Sequence, residues 1–312
     1  MSRVAAIDCG TNSIRLLIAS VVDGRLHELH REMRIVRLGQ GVDATGEFAS
    51  EAIARTRAAL ADYAGLLLRF GVKSVRMVAT SAARDVANRD EFFAMTAEVL
   101  AAAVPGAMAE VITGEEEAAL SFHGAVAELD CTEAPFLVAD LGGGSTELVL
   151  GSTEVEASFS ADIGCVRLTE RCLHSDPPTA TEVASAREVV RERLGEALRV
   201  VPVDGAHAWV GVAGTMTTLS ALAQKMTTYD AERIHLSRVG FPALLQVCDG
   251  LIGMTRAQRT ALGPMHEGRV DVIAGGAIVV EELAFALGQW AGIGELIVSE
   301  HDILDGIAMS LT

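Results

Sequence analysis

Basic residues are scarce in this sequence. Its 312 residues include 25 Lys and Arg against 42 Asp and Glu, which gives a formal net charge of −17. Broad nucleic-acid binding needs a basic face that neutralises phosphates, so this charge balance argues against a nucleic-acid partner. A phosphate-rich ligand would need a local basic or amide-lined cleft and a divalent cation to offset the net negative charge.

Cysteine is sparse and never clustered. The five cysteines are Cys9, Cys131, Cys165, Cys172 and Cys248. They form no C-x-x-C pair and no metal-ligand spacing, so we expect free, mostly buried thiols in a reducing compartment. The eight histidines show no ligand spacing either, and we expect His266 and His301 to lie at the surface or to have hydrogen-bond partners within the chain.

Long apolar runs are missing as well. The longest, such as residues 272–280 with its two glycines, fall short of the ~20 residues that a membrane-spanning helix needs. The sequence reaches Asp8 too soon for the apolar core of a signal peptide. We therefore expect a cytoplasmic protein with no membrane partner.

What is present fits a soluble globular protein of two domains. Half of the residues are hydrophobic and 21% are charged, which is an ordinary composition for such proteins. A chain of 312 residues exceeds the length at which one hydrophobic core usually keeps growing. The most linker-like stretch lies at 127–135, so we predict domains at 1–127 and 128–312, with the last helix, at 301–312, packing back on the first domain.

The stretch at 136–151, FLVADLGGGSTELVLG, combines two strand-like segments with a glycine turn. Glycine amides can approach a ligand without side chains in the way, and a turn rich in N–H donors suits phosphate oxygens. A dinucleotide-binding loop would spread its glycines and open a helix, whereas the residues after this turn favour a strand. We predict strand, turn and strand, with Asp140 ending the first strand and Glu147 on the second.

The same pattern occurs near the N-terminus, at 4–19, VAAIDCGTNSIRLLIA. The segment DCGTNS at 8–13 precedes DLGGGS at 140–145 by 132 positions, and the hydrophobic flanks align as well. A repeat this long indicates a duplicated domain and not a solenoid. We predict two related halves whose phosphate-facing turns meet across a cleft.

The rest of the chain alternates strand-like and helical patterns. In the first half we predict a turn at Asp23-Gly24, a strand at 26–38, a helix at 50–70 with Ser50 as its N-cap and Gly71 at its end, and a strand at 75–80. We predict helical structure at 81–105 and 242–287. The chain should end with a strand at 295–299 and a helix at 302–311.

Two helix starts carry candidate functional residues. Thr113 and Glu116 have capping-box spacing, so Glu116 has a structural explanation. Glu117 follows, where the helix dipole favours an acid and where its side chain could project between the halves. The glycine turn at 211–215, GVAGT, precedes a helix predicted at 216–226. Such a turn can bind an anion or serve close strand–helix packing.

Six motifs identify a family resemblance. They are DCGTNS at 8–13, TSAAR at 80–84, GEEEA at 114–118, DLGGGSTE at 140–147, IGCV at 163–166 and GVAGT at 211–215. In this order they resemble the exopolyphosphatase and guanosine pentaphosphate phosphohydrolase family, most of all its short actinobacterial two-domain members. The resemblance implies an α/β fold of two actin-like (ribonuclease H-like) domains, with mixed sheets flanked by helices and the active site in the interdomain cleft. We do not expect the additional C-terminal helical domains of the long members.

The resemblance also implies hydrolysis of a terminal phosphoanhydride, releasing orthophosphate from inorganic polyphosphate. It assigns Glu117 as the catalytic residue that orients and deprotonates water, and Arg84 as the group that neutralises developing charge. Asp140 and Glu147 match the acidic pair that holds Mg²⁺, or Mn²⁺. For Asp8, metal binding and capping of its own turn are equal alternatives. The implied phosphate-binding residues are Asn12, Ser13, Gly143, Gly144, Ser145, Gly214 and Thr215.

Other functions stay open at this stage. One alternative is removal of the γ-phosphate of guanosine pentaphosphate, which uses the same chemistry. A second is a catalytically weak regulator that binds alarmones such as guanosine tetraphosphate, and a third is an ATPase. A regulatory role would predict loss of Glu117 or of the acidic pair, and both are intact.

The resemblance also implies a homodimer. The family commonly has S-x-x-G-L-R-E-G near the C-terminus, whereas this chain has SEHDILDG at 299–306, which puts a ligand contact there in doubt.

Overall fold

The computed structural model describes residues 2–22, 25–84 and 86–312, without the side chains of Arg25 and Ser81. The predicted turn at Asp23-Gly24 lies outside the described residues. The chain divides into two compact units, one formed by Met1–Gly124 with Ile303–Thr312 and the other by Ala125–Asp302. The C-terminal segment is therefore part of the first unit.

The first unit contains a five-stranded mixed sheet. Its strands are β1 Ser2–Cys9, β2 Ser13–Val22, β3 Arg25–Ile35, β4 Ser74–Ala79 and β5 Ala109–Val111. They are ordered β3-β2-β1-β4-β5, with β1 antiparallel to β2 and parallel to β4. The helices are α1 Val42–Thr45, α2 Ser50–Phe70, α3 Ser81–Arg84, α4 Arg89–Ala101, α5 Gly114–Val126 and the C-terminal helix Ile303–Met309.

Both faces of this sheet are buried, which explains the continuous apolar run of β1. Successive side chains of a strand point to opposite faces. Ala5, Ile7 and Cys9 join the core that includes residues of α2 and α4. Ala6 lies on the other face, in a cluster with Ile307 of the C-terminal helix. The C-terminal helix therefore covers one face of the first sheet.

The second unit contains a six-stranded mixed sheet. Its strands are β6 Phe136–Leu141, β7 Thr146–Gly151, β8 Val155–Ala161, β9 Ala208–Val212, β10 Ser237–Gly240 and β11 Glu295–Val298. They are ordered β10-β11-β9-β6-β7-β8. The helices are α6 Cys165–Cys172, α7 Ala180–Ala197, α8 Ala213–Ala223, α9 Ala231–Ile234, α10 Phe241–Gly253, α11 Arg256–Thr260 and α12 Ile273–Trp290, so that the C-terminal helix becomes α13.

The two predicted hairpins have the same backbone pattern. In both, the first strand pairs antiparallel with the second, and the first glycine of the turn donates its amide to the serine carbonyl. The distance is 2.9 Å from Gly10 N to Ser13 O and 3.0 Å from Gly142 N to Ser145 O. The prediction of strand, turn and strand in two related halves is confirmed.

Helix α12 is long and apolar enough to cross a membrane by length and composition alone, but 72% of it is buried within the protein. It contacts α6, α7, α8 and α10, and its residues Ala277 to Val280 are fully buried in the core of the second unit. A helix that is hydrophobic on all sides is expected at such a position. Its apolar character is explained by this core.

Several predicted boundaries are wrong. Ser50 is the first residue of α2 and not its cap, because Ala49 holds the N-cap position without a side-chain bond. The segment predicted as helical at 81–105 is two helices, α3 and α4. Helix α8 begins at Ala213, three residues before its predicted start. The edge strand β10 was not predicted, because four residues pairing only with β11 are too short for a periodic signal.

The start of α7 supplies a testable pH dependence. The Thr179 side chain accepts a hydrogen bond from the Glu182 amide, and the Glu182 carboxylate accepts from the Thr179 amide at 2.7 Å. Hydrogen bonds from backbone amides lower the pKa of Glu182 from 4.5 to about 2, and the bond from the Thr179 amide has the largest effect. A lowered folded-state pKa stabilises the fold above the unfolded-state value, and this contribution is lost as the pH falls through the folded-state value.

We therefore expect Glu182→Gln to lower the free energy of unfolding at pH 7, with a difference from wild type that shrinks between pH 4.5 and about 2. Urea unfolding across this range measures the effect. Glu188→Gln, on an exposed position of the same helix, is the matched control and should show no such trend. A difference from wild type that is constant with pH would contradict the capping role of the charged carboxylate.

Candidate active site

The glycine turn of the second unit is fixed by the start of α6. The amide of Cys165 donates to the carbonyl of Gly142 at 3.0 Å, and those of Val166 and Arg167 donate to the carbonyl of Gly143 at 2.9 and 3.1 Å. The first amides of a helix have no partner within the helix, so the turn satisfies them. The carbonyls of Gly142 and Gly143 therefore face α6, and these bonds hold the turn at 142–145 in place.

This contact requires glycine at position 164. A Cβ atom there would lie 2.4 Å from the carbonyl carbon and oxygen of Gly143 and 2.6 Å from the amide nitrogen of Gly144. The backbone of Gly164 is extended, so the requirement is for space and not for unusual dihedral angles. The IGCV motif at 163–166 therefore packs against the backbone of the glycine turn at 142–145 and holds it in place.

The turn of the first unit is supported in a comparable way. The carbonyl of Thr11 accepts from the amide of Gly39 at 2.9 Å, and the carbonyl of Asn12 accepts from the amides of Val36 and Arg37 at 3.0 and 2.9 Å. The segment at 36–39 thus has the role that α6 has in the second unit. The side chains of Asn12 and Ser13, both predicted to bind phosphate, are half-buried.

The predicted metal ligands Asp140 and Glu147 are directly opposite each other on β6 and β7. They are 6% and 1% exposed, and Glu147 accepts a hydrogen bond from Ser160 Oγ at 2.7 Å. Like charges at directly opposite positions destabilise a sheet, and burial increases the cost of each charge. A divalent cation would offset both costs, so this donor set fits the hard, oxygen-seeking Mg²⁺.

The first hairpin differs at the corresponding position. Asp8 pairs with Arg15 where Asp140 pairs with Glu147. Arg15 donates to one carboxylate oxygen of Asp8 through Nε at 2.9 Å and through Nη2 at 2.6 Å. This ion pair was not predicted from the sequence, although Arg15 lies at the repeat position of Glu147. Metal binding by Asp8 stays a prediction, and the guanidinium already neutralises its charge.

The predicted catalytic residues Glu117 and Arg84 contact each other within the first unit. Arg84 donates from Nη2 to Glu117 Oε2 and from Nε to the carbonyl of Ile112 at 3.2 Å. Glu117 is 7% exposed. Its neighbour Glu116 is bound instead by Arg76, and its amide donates to Thr113 Oγ1 at 3.1 Å. One half of the predicted capping box is therefore present, the bond from the Glu116 amide to Thr113, whereas the Glu116 carboxylate binds Arg76. Glu117 is held separately by Arg84.

Arg269, which was not predicted as a site residue, lies against the predicted anion site at 211–215. A Cβ atom on Gly214 would lie 2.3 Å from the guanidinium carbon of Arg269, so the Arg269 side chain packs directly against this glycine. Arg269 also donates to Thr218 Oγ1 at 3.1 Å. Thr215 is buried in the same helix turn. The start of α8 therefore combines helix amides with a guanidinium, and both favour an anion. No sequence pattern links Arg269 to this turn.

Parallel pairing gathers the predicted residues of each unit at one sheet edge. In the first unit Cys9 pairs with Ala79, so the turn after β1 and the segment leading to Arg84 leave neighbouring strand ends. In the second unit Asp140 pairs with Val212, so the glycine turn and the start of α8 do the same. In α/β sheets ligands bind at the carboxyl ends of parallel strands. Each unit thus presents its candidate residues at the edge where binding is expected.

The cysteines close to these residues are not candidate nucleophiles. All five cysteines are free, and Cys9, Cys165 and Cys248 are buried. Burial raises the pKa of the Cys9 thiol, and the Asp8 carboxylate raises it further. Burial likewise raises the pKa of Cys165 to about 11. Since the thiolate is the reactive form, neither thiol is a candidate nucleophile.

The altered C-terminal stretch at 299–306 contributes to the fold of the first unit. Asp305, which stands where the family commonly has a glutamate, accepts hydrogen bonds from Arg31 at 3.2 and 2.5 Å. It is buried on α13. The acidic residue in this stretch therefore anchors α13 to β3.

The chain is similar to known proteins over nearly its whole length. A model of the Ppx/GppA phosphatase family matches residues 17–311. Exopolyphosphatase 2 of Mycobacterium tuberculosis is 72% identical over 315 aligned positions, covering 100% of this chain and 99% of that protein. A solved exopolyphosphatase-like protein has a TM-score of 0.95 at 42% identity, covering 99% of this chain and 97% of that chain. The Ppx/GppA enzyme of Aquifex aeolicus has a TM-score of 0.80 at 32% identity, covering 99% of both.

Two related α/β units, each with a hairpin turn at the carboxyl edge of a mixed sheet, define the actin-like class of proteins. Within this class the chain belongs to the Ppx/GppA phosphatase family. The predicted α/β fold, with two mixed sheets flanked by helices, and the predicted family are both confirmed.

Proposed function

We propose that this protein is an exopolyphosphatase, which releases the terminal orthophosphate of inorganic polyphosphate. The observation that carries the proposal is the buried contact between Glu117 and Arg84 at the start of α5. A carboxylate fixed in this way can orient a water molecule and accept its proton. Membership of a phosphatase family and the 72% identity to Exopolyphosphatase 2 support polyphosphate as the substrate class.

The reaction assigns distinct roles to these two side chains. A carboxylate bound by a guanidinium is a weaker base than one without it. A polyphosphate anion competes for Arg84, so binding of substrate moves the guanidinium toward phosphate and leaves Glu117 to accept the water proton. The water oxygen attacks the terminal phosphorus, the bond to the bridging oxygen breaks, and the shortened chain leaves with the negative charge.

The turns supply hydrogen-bond donors to the terminal phosphate. In this proposal the amides of Gly143, Gly144 and Ser145 and the side chains of Asn12 and Ser13 bind its non-bridging oxygens. Phosphoryl transfer depends mainly on positioning and on stabilisation of charge. Donors that are fixed before the reaction are effective for this purpose, and the turn carbonyls bound by α6 and by residues 36–39 provide that rigidity.

We further propose that Asp140 and Glu147 hold Mg²⁺, or Mn²⁺, with Gly214 and Thr215 contributing to anion binding nearby in the second unit. The buried pair of facing carboxylates supports this assignment. Magnesium is usually held by one or two carboxylates together with water and substrate phosphates. When bound, the ion neutralises charge on the phosphate oxygens.

Asp140→Asn is expected to raise the Mg²⁺ concentration for half-maximal activity by at least about 10- to 100-fold, because losing a charged ligand should cost no less than losing an outer-shell partner of a ligand. The measurement is a magnesium titration of phosphate release at saturating polyphosphate. Asp204→Asn, at an exposed position of the same unit, is the control and should titrate as wild type does. An unchanged titration for Asp140→Asn would remove Asp140 from the metal site.

The substrate is tested by phosphate release in the presence of Mg²⁺ from short polyphosphate, long polyphosphate, guanosine pentaphosphate and ATP. We expect the highest kcat/KM with polyphosphate, and with short chains in preference to long ones. Faster release from guanosine pentaphosphate would support the alternative substrate, whose terminal phosphoanhydride presents the same bond. Binding of these compounds with no release from any of them would instead support a regulatory protein.

We also propose a cytoplasmic location, which the five free cysteines support, because reducing compartments keep thiols free. Dimerisation stays a prediction that rests on the family resemblance. Sedimentation of the purified chain measures it.

A further inference from the structure

The second unit contains a histidine cluster that the proposed reaction does not use. Glu128, His235 and His301 each offer one ligand atom, and these atoms all lie within 4.8 Å of one another. His301 Nδ1 is 3.0 Å from Glu128 Oε1, and His235 Nε2 is 3.5 Å from Glu128 Oε2. The two imidazole rings are 4.4 Å apart between centroids. His301 has a hydrogen-bonding partner within the chain, Glu128, as the sequence predicted.

The backbone holds the two histidines in place. His235 ends α9, and the next residue, Leu236, donates its amide to the carbonyl of Val298 at 2.7 Å, which leads into the β10–β11 pairing. His301 lies in a turn closed by Ser299, whose Oγ donates to the His301 carbonyl at 2.8 Å. Ligands whose positions are fixed by the fold lose little freedom when a metal binds.

We propose that Glu128, His235 and His301 form a binding site for Zn²⁺ or a similar divalent transition metal. Two imidazole nitrogens and one carboxylate are a common zinc ligand set, with a fourth position for water. Imidazole ligands favour such metals over magnesium. Tetrahedral zinc with bonds of about 2.0 Å places its ligands about 3.3 Å apart, close to the 3.0 and 3.5 Å distances from Glu128.

Metal binding has a defined consequence for His235. The Glu300 amide donates to His235 Nδ1 at 3.2 Å, so the neutral ring carries its proton on Nε2, which faces Glu128. A metal on Nε2 moves that proton to Nδ1, and the bond from the Glu300 amide is lost. Hydrogen exchange at the Glu300 amide therefore becomes faster when the site is filled.

The site also adjoins both chain connections of the second unit. Glu128 and His301 are close in sequence to its two ends, at Ala125 and Asp302. A bound metal would tie these two segments together. The half-exposed side chain of Glu128 leaves an entry path for the ion.

The protein is titrated with Zn²⁺ and, separately, with Co²⁺, whose binding is monitored by its visible absorption. Excess Mg²⁺ is present in both titrations to fill sites with oxygen ligands. All proteins carry Cys131→Ser, because Cys131 is exposed. We expect one Zn²⁺ per chain and faster amide exchange at Glu300. His235→Ala and His301→Ala should each weaken binding by about 10- to 100-fold or more, whereas His174→Ala, an exposed histidine of the same unit, should not.

Equal zinc affinity of the Cys131→Ser protein with and without the His235→Ala/His301→Ala double substitution would overturn the proposal. So would saturable binding with unchanged exchange at Glu300, because the metal would then not lie on His235 Nε2. Circular dichroism checks that each variant is folded. If an alanine variant does not fold, His301→Asn keeps a hydrogen-bonding side chain and tests the same ligand. None of these readouts depends on phosphate release, so the result is separable from that of the proposed function.

Discussion

Glu117→Gln is expected to lower kcat for phosphate release by at least ~10²-fold, the loss typical of removing a general base. The amide has the size of the carboxylate but cannot accept the water proton. Arg84 can still donate to the amide oxygen, so the local structure should be retained. Polyphosphate binding, measured at equilibrium without turnover, should stay close to that of wild type, because Glu117 has no predicted contact with phosphate.

Glu116→Gln is the matched control for this prediction. Glu116 lies on the same helical turn, but its carboxylate is bound by Arg76 and its side chain is 44% exposed. Its loss removes a surface ion pair, which contributes little to stability, and should leave kcat unchanged. Wild-type turnover in Glu117→Gln, or an equal loss in both variants, would remove Glu117 from the mechanism.

Gly164→Ala is expected to reduce both stability and activity through one added methyl group. That group would lie 2.4 Å from the backbone of Gly143, a distance that forces the glycine turn or α6 to move. Overpacking of this kind costs about 1–3 kcal/mol of unfolding free energy. Displacement of catalytic donors by about 1 Å can cost roughly 10²-fold in rate. Urea unfolding and kcat/KM for polyphosphate measure the two effects.

The control is Gly195→Ala on α7, where an added Cβ atom meets no neighbour within 4 Å. Alanine in a helix is favoured over glycine by about 0.5–1 kcal/mol, so this variant should be slightly more stable than wild type and equally active. Normal activity in Gly164→Ala, in a folded protein, would contradict the expectation that the added methyl group displaces the glycine turn.

The hairpins were predictable because their signals are local. Alternating or continuous apolar residues set each strand, and glycine between Asp140 and Ser145 sets the turn, so no distant residue is needed to define them. Their duplication followed from a constant spacing along the chain. The hydrogen bond from the Glu116 amide to Thr113 was also predictable, since capping depends on residues only three positions apart.

The ion pair of Asp8 with Arg15 and the contact of Arg269 with Gly214 were not anticipated. Arg15 lies on the neighbouring strand, and its role depends on the pairing register of β1 and β2. Arg269 reaches α8 from a distant segment. The histidine cluster was missed for the same reason, because its three residues come from separate parts of the second unit.

The sequence by itself determined the two hairpins, their repetition, the position of the acidic pair and the family, because each rests on residues that are neighbours along the chain. Tertiary structure alone decided which arginine binds which carboxylate, which amides bind the turn carbonyls, and which histidines lie together. These contacts depend on strand register and helix packing, and both are set by burial of apolar surface across the whole unit.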